Sequence, residues 1–70
     1  PDLAPAVMAY YRVLGATRWL VVANLSETRQ PLDLNDRLEE TILTNDVPLQ
    51  SLTNQILQPY QAFAAIVRHV

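Results

Sequence analysis

Apolar residues along this chain fall in short runs with the period of a strand, separated by polar turn residues. Val7 to Leu14 is rich in β-branched and aromatic residues, so it is read as a first strand. Trp19 to Leu25 is a nearly continuous apolar run, broken only by Asn24. As a strand it points Leu20 and Val22 one way, and Trp19, Val21, Ala23 and Leu25 the other. Ala62 to Val67 is the closing strand, with Phe63, Ala65 and Val67 on one face and Ala64 and Ile66 on the opposite one. The first strand divides likewise, with Val7, Ala9 and Val13 against Met8 and Leu14. Both faces of these strands are therefore apolar. A two-layer sandwich buries only one face of each sheet, so a further body is expected to cover the second face.

The connections carry turn chemistry. Gly15 to Arg18 is a short loop, and Gly15, the only glycine, suits a hairpin position with φ > 0. Ser26 to Gln30 is a polar turn. Pro31 to Leu34 alternates and is read as a short edge strand, where proline is tolerated. Asn35 to Leu43 supports two readings. Leu34, Leu38 and Ile42 recur at helical spacing with Asn35 as a cap, while Glu40 to Thr44 reads as a strand; turn then strand is preferred. Asn45 to Pro48 is a turn, and Leu49 to Asn54 is loop or a short strand. Gln55 to Gln58 leads into a turn at Pro59 and Tyr60, where the Tyr60 hydroxyl is expected to anchor the chain. The sum is an all-β fold, a small antiparallel β-sandwich of about six short strands. Residues 1–6, with two prolines, read as a linker, and 7–70 as one domain. The chain starts at Pro1 and ends just after a strand, and is read as a domain excised from a larger protein.

Composition changes this picture little. The chain has 70 residues, a net charge of −2 and no cysteine. It therefore has no disulfide or thiolate metal site to support a small core. The absence of cysteine fits a cytoplasmic location. Arg12, Arg18, Arg29, Arg37 and Arg68 are scattered rather than clustered, so no nucleic-acid partner is expected. No apolar run approaches the ~20 residues of a membrane helix, so no membrane partner is expected either.

Candidate chemistry is sparse. His69 is the lone histidine and is read as solvated. Glu39 and Glu40 are adjacent, so on a strand they would face opposite ways instead of bracketing a sugar. Ser26 and Ser51 sit in no nucleophile motif, and one glycine cannot build a phosphate loop. No catalytic, cofactor or metal residue is assigned. Trp19, Tyr10, Tyr11, Tyr60 and Phe63 could stack on sugar rings, but core or interface aromatics are the preferred reading.

Four segments carry a resemblance. Val7 to Arg12 has an apolar-apolar-Ala-Tyr-x-Arg pattern. Trp19 to Ser26 holds Leu-Val-Val followed by Asn-x-Ser. Ile42 to Asn45 supplies Leu-x-Asn, and Leu57 to Ala62 reads Leu-x-Pro-Tyr-Gln-Ala. In order and spacing these resemble the C-terminal domain of α-glucosidases of the α-amylase superfamily, glycoside hydrolase family 13. The similar branch is that of oligo-1,6-glucosidase, dextran glucosidase and trehalose-6-phosphate hydrolase. The resemblance implies a non-catalytic accessory domain that packs on the (β/α)8 catalytic barrel of the same chain. It places the catalytic carboxylates on that barrel, so none is carried onto this sequence. A carbohydrate-binding module that takes oligosaccharide through exposed aromatics, and a protein-interaction module, are the alternatives.

Overall fold

The computed structural model describes residues 6–68. Six strands appear: β1 (Val7–Leu14), β2 (Thr17–Asn24), β3 (Gln30–Leu32), β4 (Arg37–Thr44), β5 (Gln55–Leu57) and β6 (Ala62–Arg68). Four form an antiparallel sheet in the order β1-β2-β6-β4, and β3 with β5 form a two-stranded ribbon. The all-β sandwich expected from the sequence is borne out. Pro31 sits in the ribbon opposite Ile56, in a strand with only one partner, where a missing N–H costs least.

Directly paired residues share a face, so the register gives rows across the sheet. One inner row is Ala9, Val22, Phe63 and Thr44; a second is Tyr11, Leu20, Ala65 and Thr41; a third is Val13, Arg18, Val67 and Leu38. Over this face lies the ribbon, with Leu32 and Leu57, and the flanking loops, with Leu34 and Leu52. The buried set of Leu20, Val22, Leu32, Leu52 and Leu57 is fully enclosed. The backbone N–H of Leu34 donates to the Leu52 carbonyl at 2.8 Å, which ties the two loops beside the ribbon.

The β1–β2 hairpin pairs Leu14 directly with Thr17, so its loop is Gly15 and Ala16 only, tighter than the four-residue loop expected. Gly15 has φ +62, and a Cβ built there would meet nothing within 4 Å. The backbone angle, not crowding, is what favours glycine.

The ambiguous stretch resolves as strand β4, with an instructive reason. Its pairing with β6 slips between Leu38 and Glu40 and again between Thr41 and Leu43. Each slip inserts one residue, as a β-bulge does. Leu38, Thr41 and Thr44 therefore share the inner side at a spacing of three, whereas Ile42, the last residue of the helical series, falls in the second slip. The fifth strand is Gln55–Leu57, later than the 49–54 segment considered for it; 49–54 is loop. Leu25 lies just past β2 and is exposed.

Candidate functional site

Two features stand out: a polar knot at one end of the sandwich and an uncovered outer face.

The knot is centred on Asn24, which is 1% exposed. Its Nδ2 donates to the carbonyls of Thr28 (2.8 Å) and Gln58 (2.9 Å), and its Oδ1 accepts from the Ser26 N–H (3.1 Å) and hydroxyl (2.8 Å). Two donors and two acceptances exhaust a carboxamide's capacity. Asn45 performs a parallel task. Its Nδ2 donates to the Tyr60 carbonyl and its Oδ1 accepts from the Ala62 N–H, each at 2.9 Å. The buried Gln61 closes the turn, its Oε1 accepting from the Gln58 N–H at 2.8 Å. Tyr60 holds φ 56 and donates its backbone N–H to the Ser26 carbonyl at 3.1 Å. Its ring is exposed. Tyr60 therefore anchors the turn through its main chain; the expected hydroxyl anchor is corrected, because a left-handed backbone turns the ring to solvent. The knot binds the segments after β2, after β4 and before β6 into one unit. Its buried centre, Asn24, has every hydrogen bond made, so its chemistry is structural.

The second polar cluster lies at the opposite, hairpin end of the inner face. The Tyr11 hydroxyl donates to Oδ2 of the buried Asp36. Cζ of Arg18 lies 4.2 Å from the Tyr11 ring centroid, a cation–π contact. Arg18 Nε is buried and finds no hydrogen-bond partner among the described residues. Burial foremost, and then the Asp36 carboxylate, hold the Tyr11 hydroxyl above the usual 10.0, while Arg18 works in the other direction. A raised folded value contributes stability that is fully present below the unfolded value and lost as pH rises through the folded one. Tyr11→Phe is accordingly expected to remove part of the stability lost between about pH 8 and about pH 11. Denaturation midpoints at both values test this, and equal losses in both proteins count against it.

The outer face is different in kind. Its rows run Met8, Ala23 and Ala62; then Tyr10, Val21, Ala64 and Leu43; then Arg12, Trp19, Ile66 and Glu40. Met8, Tyr10 and Leu43 are exposed, and the central residues are half-buried only by one another. Val21, Leu43, Ala62 and Ala64 line a shallow apolar depression of about 330 Å³. The expectation that both strand faces are apolar is borne out, and no described residue covers the second one.

The aromatics do not form one platform. Phe63 is buried in the core, Tyr11 sits on the inner side, Tyr60 is in the knot, and only Tyr10 and Trp19 share the outer face. The adjacent Glu39 and Glu40 serve no common site. Glu39 Oε1 meets Arg68 Nε at 3.0 Å in an exposed ion pair, worth at most about 1 kcal/mol. Among the described residues no group of three or more His, Cys, Asp or Glu could hold a metal ion. His69 lies outside the described residues.

The described residues thus form a two-layer β-domain with a structural knot at one end and an outer apolar face that none of them covers. The chain belongs to the family described as the α-amylase SusG C-terminal domain, whose model matches residues 7–64. It is 39% identical over 62 residues to the glucan 1,6-α-glucosidase of Streptococcus pneumoniae serotype 4 (strain ATCC BAA-334 / TIGR4), covering 89% of this chain and 12% of that protein. The crystal structure of isomaltulose synthase (PalI) from Klebsiella sp. LX3 superposes with a TM-score of 0.80 at 33% identity, covering 93% of this chain and 12% of that one. The chain thus spans about an eighth of the relatives it matches. The resemblance to α-amylase superfamily C-terminal domains, read from the strand and turn motifs, is borne out. Asn24, Ser26, Asn45 and Gln58 to Gln61, which carry those motifs, are the residues of the knot.

Proposed function

We propose that this chain is the non-catalytic C-terminal accessory domain of an α-glucosidase acting on short α-linked gluco-oligosaccharides, and that its outer sheet face packs on the catalytic barrel. The observation that carries the reading is the four-strand apolar row of Tyr10, Val21, Ala64 and Leu43, left open to water. Exposed contiguous apolar surface on a soluble domain marks a contact with another body. Inter-domain contacts of this kind bury on the order of 600–1,500 Å². The chain's small share of its relatives' length supplies the body in the same polypeptide. Two relatives with differently named reactions, a glucosidase and a synthase, match across this domain. That supports a role in stability and not in choice of reaction. The whole enzyme would retain configuration at the sugar through paired carboxylates supplied by its barrel, and the lack of cysteine suits a cytoplasmic parent.

Leu43 tests the proposal, being 70% exposed on this face. In the full-length enzyme Leu43→Asp is expected to lower the melting temperature by several degrees, equivalent to about 1–3 kcal/mol. The control is Ile56→Asp, on the ribbon's exposed side, which should cost under about 1 kcal/mol. Equal melting temperatures for both variants and the wild type would dismiss packing through this face. Saturable chemical-shift changes around Tyr10 and Trp19 on titration with maltose or isomaltose oligosaccharides would favour sugar binding instead.

A further inference from the structure

Asn24, Leu25 and Ser26 spell Asn-x-Ser, the acceptor sequence for an N-linked oligosaccharide. The other asparagines, Asn35, Asn45 and Asn54, have Arg37, Val47 and Ile56 two residues on and lack the motif. Read locally, the motif is a surface turn, since Leu25 is exposed and a polar segment follows it. The fold contradicts this for the side chain that would carry the sugar. Asn24 is the last residue of β2, on the inner side with Leu20 and Val22, and is 1% exposed.

Burial closes the amide to a transferase, and the knot also excludes the product. Glycosylation joins a sugar carbon to Nδ2 and leaves that nitrogen one hydrogen. In the knot both hydrogens are engaged, with the Thr28 carbonyl at 2.8 Å and the Gln58 carbonyl at 2.9 Å. A C–N single bond is about 1.45 Å, so a carbon replacing either hydrogen falls within about 2 Å of a carbonyl oxygen, far inside an ordinary C···O contact of about 3.3 Å. Turning the amide over frees no position, because Ser26 N–H and hydroxyl would then lose their acceptor, Oδ1. The unfolded chain is different. The Ser26 bonds to Asn24 span two residues and form locally, as in an Asx turn. The bond to Gln58 spans 34 residues and needs β6 beside β2. Before that pairing the amide is open, next to the hydroxyl that completes the motif.

We propose that Asn24 is a latent N-glycosylation site, open to an oligosaccharyltransferase only while the chain is unfolded and incompatible with the fold once modified. Nδ2 attacks the anomeric carbon of a lipid-diphosphate-linked oligosaccharide. The bond from that carbon to the diphosphate oxygen breaks, the lipid diphosphate leaves with the electron pair, and the amide gives up one proton. The modified chain lacks one donor of the knot and carries a sugar where a main-chain carbonyl must sit. The end of β2 then does not close on the turn before β6. Folding and glycosylation are alternatives, and whichever comes first excludes the other. Synthesis in a compartment without the transferase avoids the conflict.

The test directs the full-length enzyme into a eukaryotic secretory pathway. Peptide mass spectrometry at Asn24, after each glycan is trimmed to one N-acetylglucosamine, is read separately on the folded, active fraction and on the retained, insoluble one. The expected result is a glycan on Asn24 among insoluble chains and a bare Asn24 in the active enzyme. A glycan on Asn24 in active enzyme of unchanged melting temperature overturns the proposal, and so does a bare Asn24 in every chain. Ser26→Ala gives a second readout, because it removes the motif and leaves both carbonyl contacts of Asn24. The ratio of its secreted yield to its yield from a cytoplasm without the transferase is expected to exceed that of the wild type several-fold. Taking the ratio cancels the stability lost with the hydroxyl, and an unchanged ratio overturns the proposal.

Discussion

Asn24→Ala is expected to cost the domain about 3 kcal/mol or more, over half of its stability. Asn24 is buried, and its truncation removes the donors from the Thr28 and Gln58 carbonyls and the acceptor from Ser26. Each buried group left without a partner costs about 1–3 kcal/mol. A 70-residue domain without disulfides stands at the low end of the ordinary 5–15 kcal/mol range. Urea unfolding followed by Trp19 fluorescence measures the effect. Asn24→Asp separates its parts, because it keeps size and acceptor while replacing both donors with an oxygen facing two carbonyls. It should be at least as damaging as alanine. A loss below about 1 kcal/mol for both would mean that water satisfies the knot.

The second large effect distinguishes neighbours in one three-residue strand. Leu57 is 0% exposed beneath the ribbon, whereas Ile56 is 52% exposed. Leu57→Ala is expected to cost about 2–5 kcal/mol through lost transfer energy and the cavity left behind. Ile56→Ala should cost under about 1 kcal/mol. The comparison tests whether the ribbon is a true second layer. Similar small losses at both positions would mean that β3 and β5 rest loosely on the sheet, with Leu20 and Val22 protected by the sheet alone.

These positions also show how much of the molecule is legible in the chain. Leu20 and Val22 against Trp19 and Val21, and Phe63, Ala65 and Val67 against Ala64 and Ile66, separate in the folded domain as alternation requires. The two-sided apolar character of β2 and β6 is equally legible, and among the described residues the outer side stays open. The knot was visible only as a set of motif residues, Asn24, Ser26, Asn45 and Gln58 to Gln61. Nothing in their spacing says that they meet, since Asn24 and Gln58 are 34 positions apart and come together only through the sheet order. The aromatics carry the same limit, because five rings in a sequence say nothing about whether they share a surface.

Period and polarity along the chain determined by themselves that this is an all-β domain, which residues form the inner layer of β2 and β6, and that Gly15 turns a hairpin. Those are local or nearly local consequences of pleat and backbone sterics. Tertiary structure alone decided the rest. The two bulges of β4 are defined only by its pairing with β6, and nothing local in the sequence marks them. The brief β5 is a strand because β3 lies beside it and supplies its hydrogen bonds, as a three-residue segment has no strand stability of its own. The placing of β1 and β4 at opposite ends of the β1-β2-β6-β4 sheet follows from strand order, a non-local property set by which apolar surfaces can be buried together.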